Sequence, residues 1–529
     1  MGIRQGAQGA TVSIAVDASA PRRKGWTTLA IVVASMALGA AYAAYLGEDA
    51  NWDWQNYHEY NIWALLHGGY ERDAIPPGFQ TFFNPLIYFP WYALRHALPP
   101  LAAGMIIGAV HGLNLAVVAW LSKILLGVTG NAWTIGAAVL LAAFGPMTLS
   151  EVGASFSDIL TSIPSLIALA LILEPERPRP WRYLVAGLLL GLTVGIKLTN
   201  IVFALGIAAM ALIAVQPLLA LACLAIGGAV GSVLTGGAWS LMLWREFGNP
   251  FFPLVNSFFP SAEMKQVTLL DRQFIPRGFW DGVSYPFLWM VGDFRSSELP
   301  FRDARFALAI VLLPLAIVAS LKSAAARLTR RDVQLLVFFA VSLAIWLTLF
   351  SIQRYVVLLE LLCGPIIVLL LTRIGSAFVP SRSISNFAIF AIAAIASAWT
   401  QPTDWWRRPW SNPYAPVISP RLAQPATYFL LDKPLSFIAP QLPEGSRFAM
   451  IADQALPIMP GGRFDRRIRD GLSHPLPGGV WEIHIKGRPY PVELLAAYGL
   501  SVDTTQACVE IEGANMGLVL VACPLRDQP

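Results

Sequence analysis

The chain has 529 residues, of which 56% are hydrophobic and only 13% charged, with a net charge of +5. A soluble globular protein carries about 25% charged residues, so this composition excludes a surface wetted on every side. The small net charge gives no ground for nucleic-acid binding, and lipid is the solvent that fits.

A bilayer crossing needs about 20 apolar residues, and stretches of that kind recur from residue 25 to residue 400. Residues 1–24 read as a cytoplasmic N-terminal segment ending in Arg22-Arg23-Lys24. The first span, 25–46, exceeds the apolar core of about 7–15 residues of a secretory signal and reads as an uncleaved signal-anchor. Ten more spans follow near 101–121, 131–150, 157–173, 183–197, 199–215, 218–242, 306–321, 333–352, 355–372 and 385–400. This predicts an all-α polytopic bundle of about eleven transmembrane helices over 25–400. Long outer loops occupy 47–100 and 243–305. Residues 401–529 have ordinary polar content, with strand-like runs at Arg447–Ala452 and Met516–Ala522. They predict a small mixed α/β domain.

Basic residues set the orientation, because cytoplasmic loops carry the excess of Lys and Arg. Lys123, then Arg177, Arg179 and Arg182, then Lys322, Arg327, Arg330 and Arg331, then Arg373 and Arg382 fall on alternate loops. Glu48, Asp49, Asp53, Glu59, Glu71, Asp73 and Glu151 fall on the others. The N-terminus is therefore expected inside and the C-terminal domain outside. Cys223 and Cys363 read as packing residues. A hairpin turning near Gly513-Ala514-Asn515 does not set Cys508 opposite Cys523, so the pair is expected unbridged, with a disulfide the alternative for an extracytoplasmic tail.

Chemistry concentrates in the outer loops. Asp49-Ala-Asn-Trp52-Asp53-Trp-Gln-Asn-Tyr57-His58 follows directly on the first span. As a helix it would put Asp49 and Asp53 on one face, a turn apart. Acids among aromatic rings suit a sugar, with stacking on the rings and proton acceptance by the carboxylates; a solvated interfacial loop is the plain alternative. Glu151 and Asp158 lie at the next outer turn, where acids near the membrane are costly and functional by default; simple pairing with a cation is the alternative for Asp158. Lys197 interrupts an apolar run and Arg354 opens a late span. Two cations at one mouth suit a phosphate. Glu360 reads as the counter-ion of one of them, and His111 as a packing residue. No P-loop, zinc spacing or nucleophile elbow is present.

In order and sidedness these pieces resemble the glycosyltransferase-C superfamily: an N-in first span, acids in the first outer loop, a second acid after the third span, and Arg354-Tyr355 heading a late span. Asp53-Trp-Gln-Asn-Tyr-His58, Phe83-Asn84-Pro85, Gly248-Asn249-Pro250-Phe-Phe-Pro253 and Phe301-Arg302-Asp303-Ala-Arg305-Phe306 are similar to a set in its bacterial protein mannosyltransferase-like and lipopolysaccharide-core transferase-like branch. Many members have adjacent acids in the first loop, whereas three residues separate Asp49 from Asp53. The resemblance implies a polyprenyl-phosphate-linked sugar donor, an extracytoplasmic glycan, lipid or protein acceptor, and a bacterial inner membrane. Asp53 would be the base, Asp49 its substitute and Asp158 the second acid. Arg354 and Lys197 would hold the donor phosphate. Trp52, Tyr57, His58, Glu151 and Arg272 would contact acceptor or sugar. No cofactor is assigned, and a divalent cation held by the acids stays open. A transporter or flippase for a lipid-linked or anionic solute is the alternative function.

Overall fold

The computed structural model describes residues 20–174, 179–410, 416–513 and 518–528. Seven of its helices are long and apolar enough to cross a membrane: α1 (Trp26–Leu46), α2 (Pro100–Thr129), α7 (Pro217–Phe247), α8 (Arg305–Lys322), α9 (Arg330–Leu349), α10 (Gln353–Phe378) and α11 (Arg382–Trp399). Four shorter apolar helices complete the bundle: α3 (Ala132–Ala143), α4 (Asp158–Leu173), α5 (Pro180–Ile196) and α6 (Leu198–Ala211). The eleven match the expected spans one for one, including the division at Lys197, which lies in extended backbone between α5 and α6.

Local signals explain the boundaries. Proline occupies the first turn of α2, α5 and α7, where its missing N–H costs nothing. Thr329 and Asp332 form a capping box at the start of α9, and Arg373 bonds the same Asp332 at 2.8 Å, tying α9 to the far end of α10. The nearly uniformly apolar α10 is the central helix, its first half buried on every side.

Lipid supplies no hydrophobic drive between helices, so close backbone approach must. A methyl group on Gly39 of α1 would lie 2.1 Å from the Gly108 carbonyl oxygen of α2, and one on Gly191 of α5 2.1 Å from that of Gly228 in α7. Neither pair of helices accepts a side chain there.

The tail is a six-stranded mixed sheet: β1 (Thr427–Leu430), β2 (Arg447–Met450), β3 (Val480–Ile485), β4 (Leu500–Val502), β5 (Val509–Ile511) and β6 (Leu520–Asp527). The order is β2-β1-β3-β6-β4, with β5 also paired to β6. The run expected at Arg447–Ala452 is β2; the one expected from Met516 begins only at Leu520, and Met516 itself lies outside the described residues. A helix, α12 (Arg463–Ser473), packs Phe464 and Ile468 into the same core.

One expectation fails here. Cys508 and Cys523 are bridged, with Cα atoms 4.2 Å apart. Val509 pairs with Ala522 and Ile511 with Leu520, so the hairpin centre falls later than expected and the two cysteines do face each other. Of the expected turn, Gly513 is described and Ala514-Asn515 lie outside the described residues.

The tail is fastened to the loop of residues 47–100. Ala74 bridges to β2 through Ala74 N–H to Phe448 O (2.8 Å) and Met450 N–H to Ala74 O (2.9 Å). Asp453 accepts from Phe79 N–H at 2.7 Å and from Lys433 Nζ at 3.0 Å. The Ser436 hydroxyl donates to Asn56 O.

Candidate active site

Gly47 ends α1 with φ +94°, and a side chain there would strike the Arg408 carbonyl. The chain then runs without helix through Asn51 and turns helical only at Trp52. Asp49 and Asp53 therefore do not share a helical face, contrary to expectation. Asp49 points inward and accepts from Ser155 N–H at 2.7 Å and from Asn51 Nδ2 at 2.8 and 3.0 Å, which makes it a tether. Asp53 stands in the first turn, ahead of a wide π-helical turn over Trp54–His58 whose five residues are all buried.

Asp53 forms an ion pair with Nη1 of Arg354 at the head of α10, and Glu298 lies 3.5 Å from Nη2 of the same arginine. Arg354 Nε is buried without a hydrogen-bond partner among the described residues. Lys197 Nζ sits 2.7 Å from both oxygens of Asp158 and 4.6 Å from the centre of the Tyr355 ring. The break at Lys197 aims the ammonium inward. Asn84, in the Phe-Asn-Pro segment, donates to Gly195 O (3.0 Å) and Thr235 O (2.9 Å) beside the helix break and a π-turn of α7, satisfying backbone carbonyls that irregular helix geometry exposes.

Asp53, Tyr57, Lys197, Arg354 and Tyr355 line one cavity of about 490 Å³. The rest of its wall is mostly apolar, with Asn84, Thr199, Ser232 and Ser240 among its polar members, and comes from the loop around residues 82–88, the ends of α5 and α6, α7, and Pro250–Leu254. The Gly-Asn-Pro segment shapes that last stretch: Asn249 is fully buried, accepts from Phe251 N–H (2.9 Å) and donates to Leu254 O (2.9 Å). A charged mouth on an apolar pocket suits an amphiphile with an anionic head.

The other expected residues lie around this mouth or away from it. His58 stacks on Tyr88 at 3.8 Å and bonds Ser155 Oγ through Nδ1 at 2.9 Å. Burial, with the charges of Lys197 and Arg354, holds its pKa well below the usual range, so the ring is neutral. Burial raises the Tyr57 hydroxyl well above its usual range, helped by the Asp53 charge. Glu151 is fully buried and accepts from Ile159 N–H at 3.2 Å; burial and neighbouring Asp158 raise its pKa well above the carboxylate range. Trp52 is half-buried and Arg272 exposed; neither lines the cavity.

Glu360 corrects a further expectation. Its cation is neither Lys197 nor Arg354 but Arg305, 3.7 Å away. Arg305 and Asp303, from the Arg-Asp-Ala-Arg segment, pair at 2.6 Å with no exposure. Arg305 also donates to Leu141 O at 2.8 Å, so this buried group locks α8, α10 and α3 together. Among the described residues, three potential metal ligands converge only at Glu482, His484 and Cys523 in the tail, and Cys523 is already bridged. The acids at the mouth are each paired with a cation and do not form such a cluster. Ser155 and Glu298 escaped the sequence reading. Ser155 meets Asn51 across 104 positions, and no local pattern marks either residue.

No family model matches the chain, and no curated protein sequence does. A solved structure does: ArnT from Cupriavidus metallidurans bound to undecaprenyl phosphate, at TM-score 0.53 and 13% identity over 96% of this chain and 98% of that one. At that identity the likeness concerns the fold, and it runs through bundle and tail alike. The chain therefore has an ArnT-like fold.

Proposed function

We propose that the protein is a membrane glycosyltransferase that moves a sugar from a polyprenyl-phosphate carrier to an extracytoplasmic acceptor. One observation carries this reading: Asp53, Lys197 and Arg354 stand together at the charged mouth of a cavity whose remaining walls are mostly apolar. The neighbour of like fold was solved with undecaprenyl phosphate, a ligand of the same shape, with a long apolar chain and a phosphate head.

The carrier chain lies along α7 and the ends of α5 and α6, and its phosphate meets Lys197 and Arg354. Arg354 has an unused buried Nε–H, and guanidinium offers a forked donor to phosphate oxygens. Turning toward the phosphate, Arg354 releases Asp53. The freed carboxylate takes the proton of the acceptor hydroxyl as its oxygen bonds the anomeric carbon. The carbon–oxygen bond to the phosphate breaks, and the electron pair leaves on the carrier. Cations fixed at that oxygen stabilise the developing charge more than they stabilise the bound donor. A single displacement inverts the anomeric centre. Asp158 holds the Lys197 ammonium in place.

The test is transfer of radiolabelled sugar from polyprenyl-phosphate donors in membranes carrying wild-type or Asp53→Asn protein at matched abundance. Transfer that depends on the wild-type protein and falls about 10²–10⁴-fold in the variant is the expected result. Protein-dependent solute movement across vesicles without transfer from any donor would overturn it in favour of a transporter.

A further inference from the structure

A second cavity, of about 270 Å³, opens at the opposite end of the bundle. Asp158 begins α4 at the first site, and Leu173 ends it beside the second. The helix has 16 residues, which separates the two by about 24 Å. Among the described residues, Arg179, Arg182, Arg330 and Arg331 line this second cavity together with Glu174.

The site is built rather than merely basic. Arg182 is 9% and Gln334 5% exposed. The Gln334 amide lines the cavity and has no side-chain hydrogen bond to a described residue. Arg330 and Arg331 form no ion pair with any described residue. Asp332, beside them, pairs with Arg373 instead: its Oδ2 accepts from Thr329 N–H (2.8 Å) and from Arg373 (2.8 Å). α5 and α9 both begin here, and their positive ends add to the field. The neighbouring guanidinium groups of Arg330 and Arg331 repel each other, and an anion between them relieves that repulsion. On the rim Ile172, Ala214 and Val215 give an apolar surface, and Val215 is 60% exposed, on ground a lipid chain would cover.

We propose that this cavity binds the phosphate of an anionic phospholipid headgroup, with an acyl chain along Val215. Forked guanidinium donors match phosphodiester oxygens, and basic pockets between helix ends on the Arg-rich side of a membrane protein recognise such headgroups. A free phosphate shares that chemistry but gains nothing from the apolar rim. This inference rests on the reading of the helices as membrane-spanning and not on the transfer reaction.

The experiment uses the full-length protein in detergent. It measures binding of phosphatidylglycerol by native mass spectrometry, and the thermal transition with phosphatidylglycerol, phosphatidylcholine or inorganic phosphate. Wild type should bind phosphatidylglycerol and gain thermal stability from it, and from neither of the others. Affinity should fall roughly 5-fold for Arg331→Gln and ~25-fold for Arg330→Gln with Arg331→Gln. The single variant decides the matter if the double one aggregates. Unchanged affinity in Arg331→Gln, or equal stabilisation by phosphatidylcholine, would overturn the proposal. Equal stabilisation by inorganic phosphate would overturn the lipid as its source.

Discussion

Lys197 and Asp158 are two buried charges that serve either each other or a substrate, and a double-mutant cycle separates these roles. Lys197 Nζ contacts both Asp158 oxygens at 2.7 Å, with side chains 19% and 5% exposed. Lys197→Met strands a carboxylate in that setting, at a cost of about 3–5 kcal/mol for a buried pair. Some relief comes from the partial exposure of the lysine. Asp158→Asn strands the ammonium and costs a similar amount. Removing both charges leaves no unpaired ion, so the double variant should unfold well above Lys197→Met. Transfer should not return with it. If Lys197 meets the carrier phosphate, losing it costs about 2.7–4 kcal/mol of transition-state stabilisation, or roughly 10²–10³ in rate, whatever happens at Asp158. The assays are the thermal transition in detergent and initial rates of sugar transfer, on the same four preparations. A double variant that regains both stability and transfer would show a structural pair and remove Lys197 from the chemistry.

Asp73 is 2% exposed and carries the junction between first loop and tail. Burial lifts its carboxyl from 3.8 to about 6. The folded chain thus holds this proton more tightly than the unfolded one. The resulting stability, about 3 kcal/mol, is full below about pH 4 and lost as pH rises through about 6. The thermal transition of wild type minus that of Asp73→Asn should fall across this range; a flat difference would contradict it. Replacing Cys508 and Cys523 by Ser opens a loop of sequence separation 15, worth about 3 kcal/mol, and should make the tail the first part cut by protease; an unchanged digestion pattern would argue otherwise. Gly191→Leu meets the Gly228 carbonyl and should force α5 from α7, lowering the yield of folded protein in membranes; wild-type yield and activity would refute the packing argument.

Much of the bundle was legible because apolar runs, prolines and basic loops act locally. Asp53, Asp158, Lys197 and Arg354 were each visible as costly charges near a membrane. Their pairing was not, since Asp53 and Arg354 lie 301 positions apart. The shared face of Asp49 and Asp53 failed because the helix starts at Trp52, after a glycine-dependent turn that hydropathy does not register. Glu360 was assigned the wrong cation because Arg305 looked like part of an outer loop, when the fold buries it. The cysteine register slipped because the hairpin centre was placed too early by its glycine. The spacing of Gly108 with Gly112 and of Gly187 with Gly191 was a readable sign of close helix packing that the sequence reading passed over.

The fastening of first loop to tail bears on the order in which the protein is made. Asn56, Ala74 and Phe79 leave the ribosome long before Ser436, Phe448 and Asp453, the residues that receive them. The bundle's early helices are synthesised while the segment carrying Asp53 still lacks its backing. A chain stopped after α11 keeps its spans but leaves the Asn56 carbonyl, Asp73 and the Phe79 N–H without their tail partners, three or four hundred residues from where they began. Completion of the backing behind the segment that carries Asp53 is thus a late event in biosynthesis.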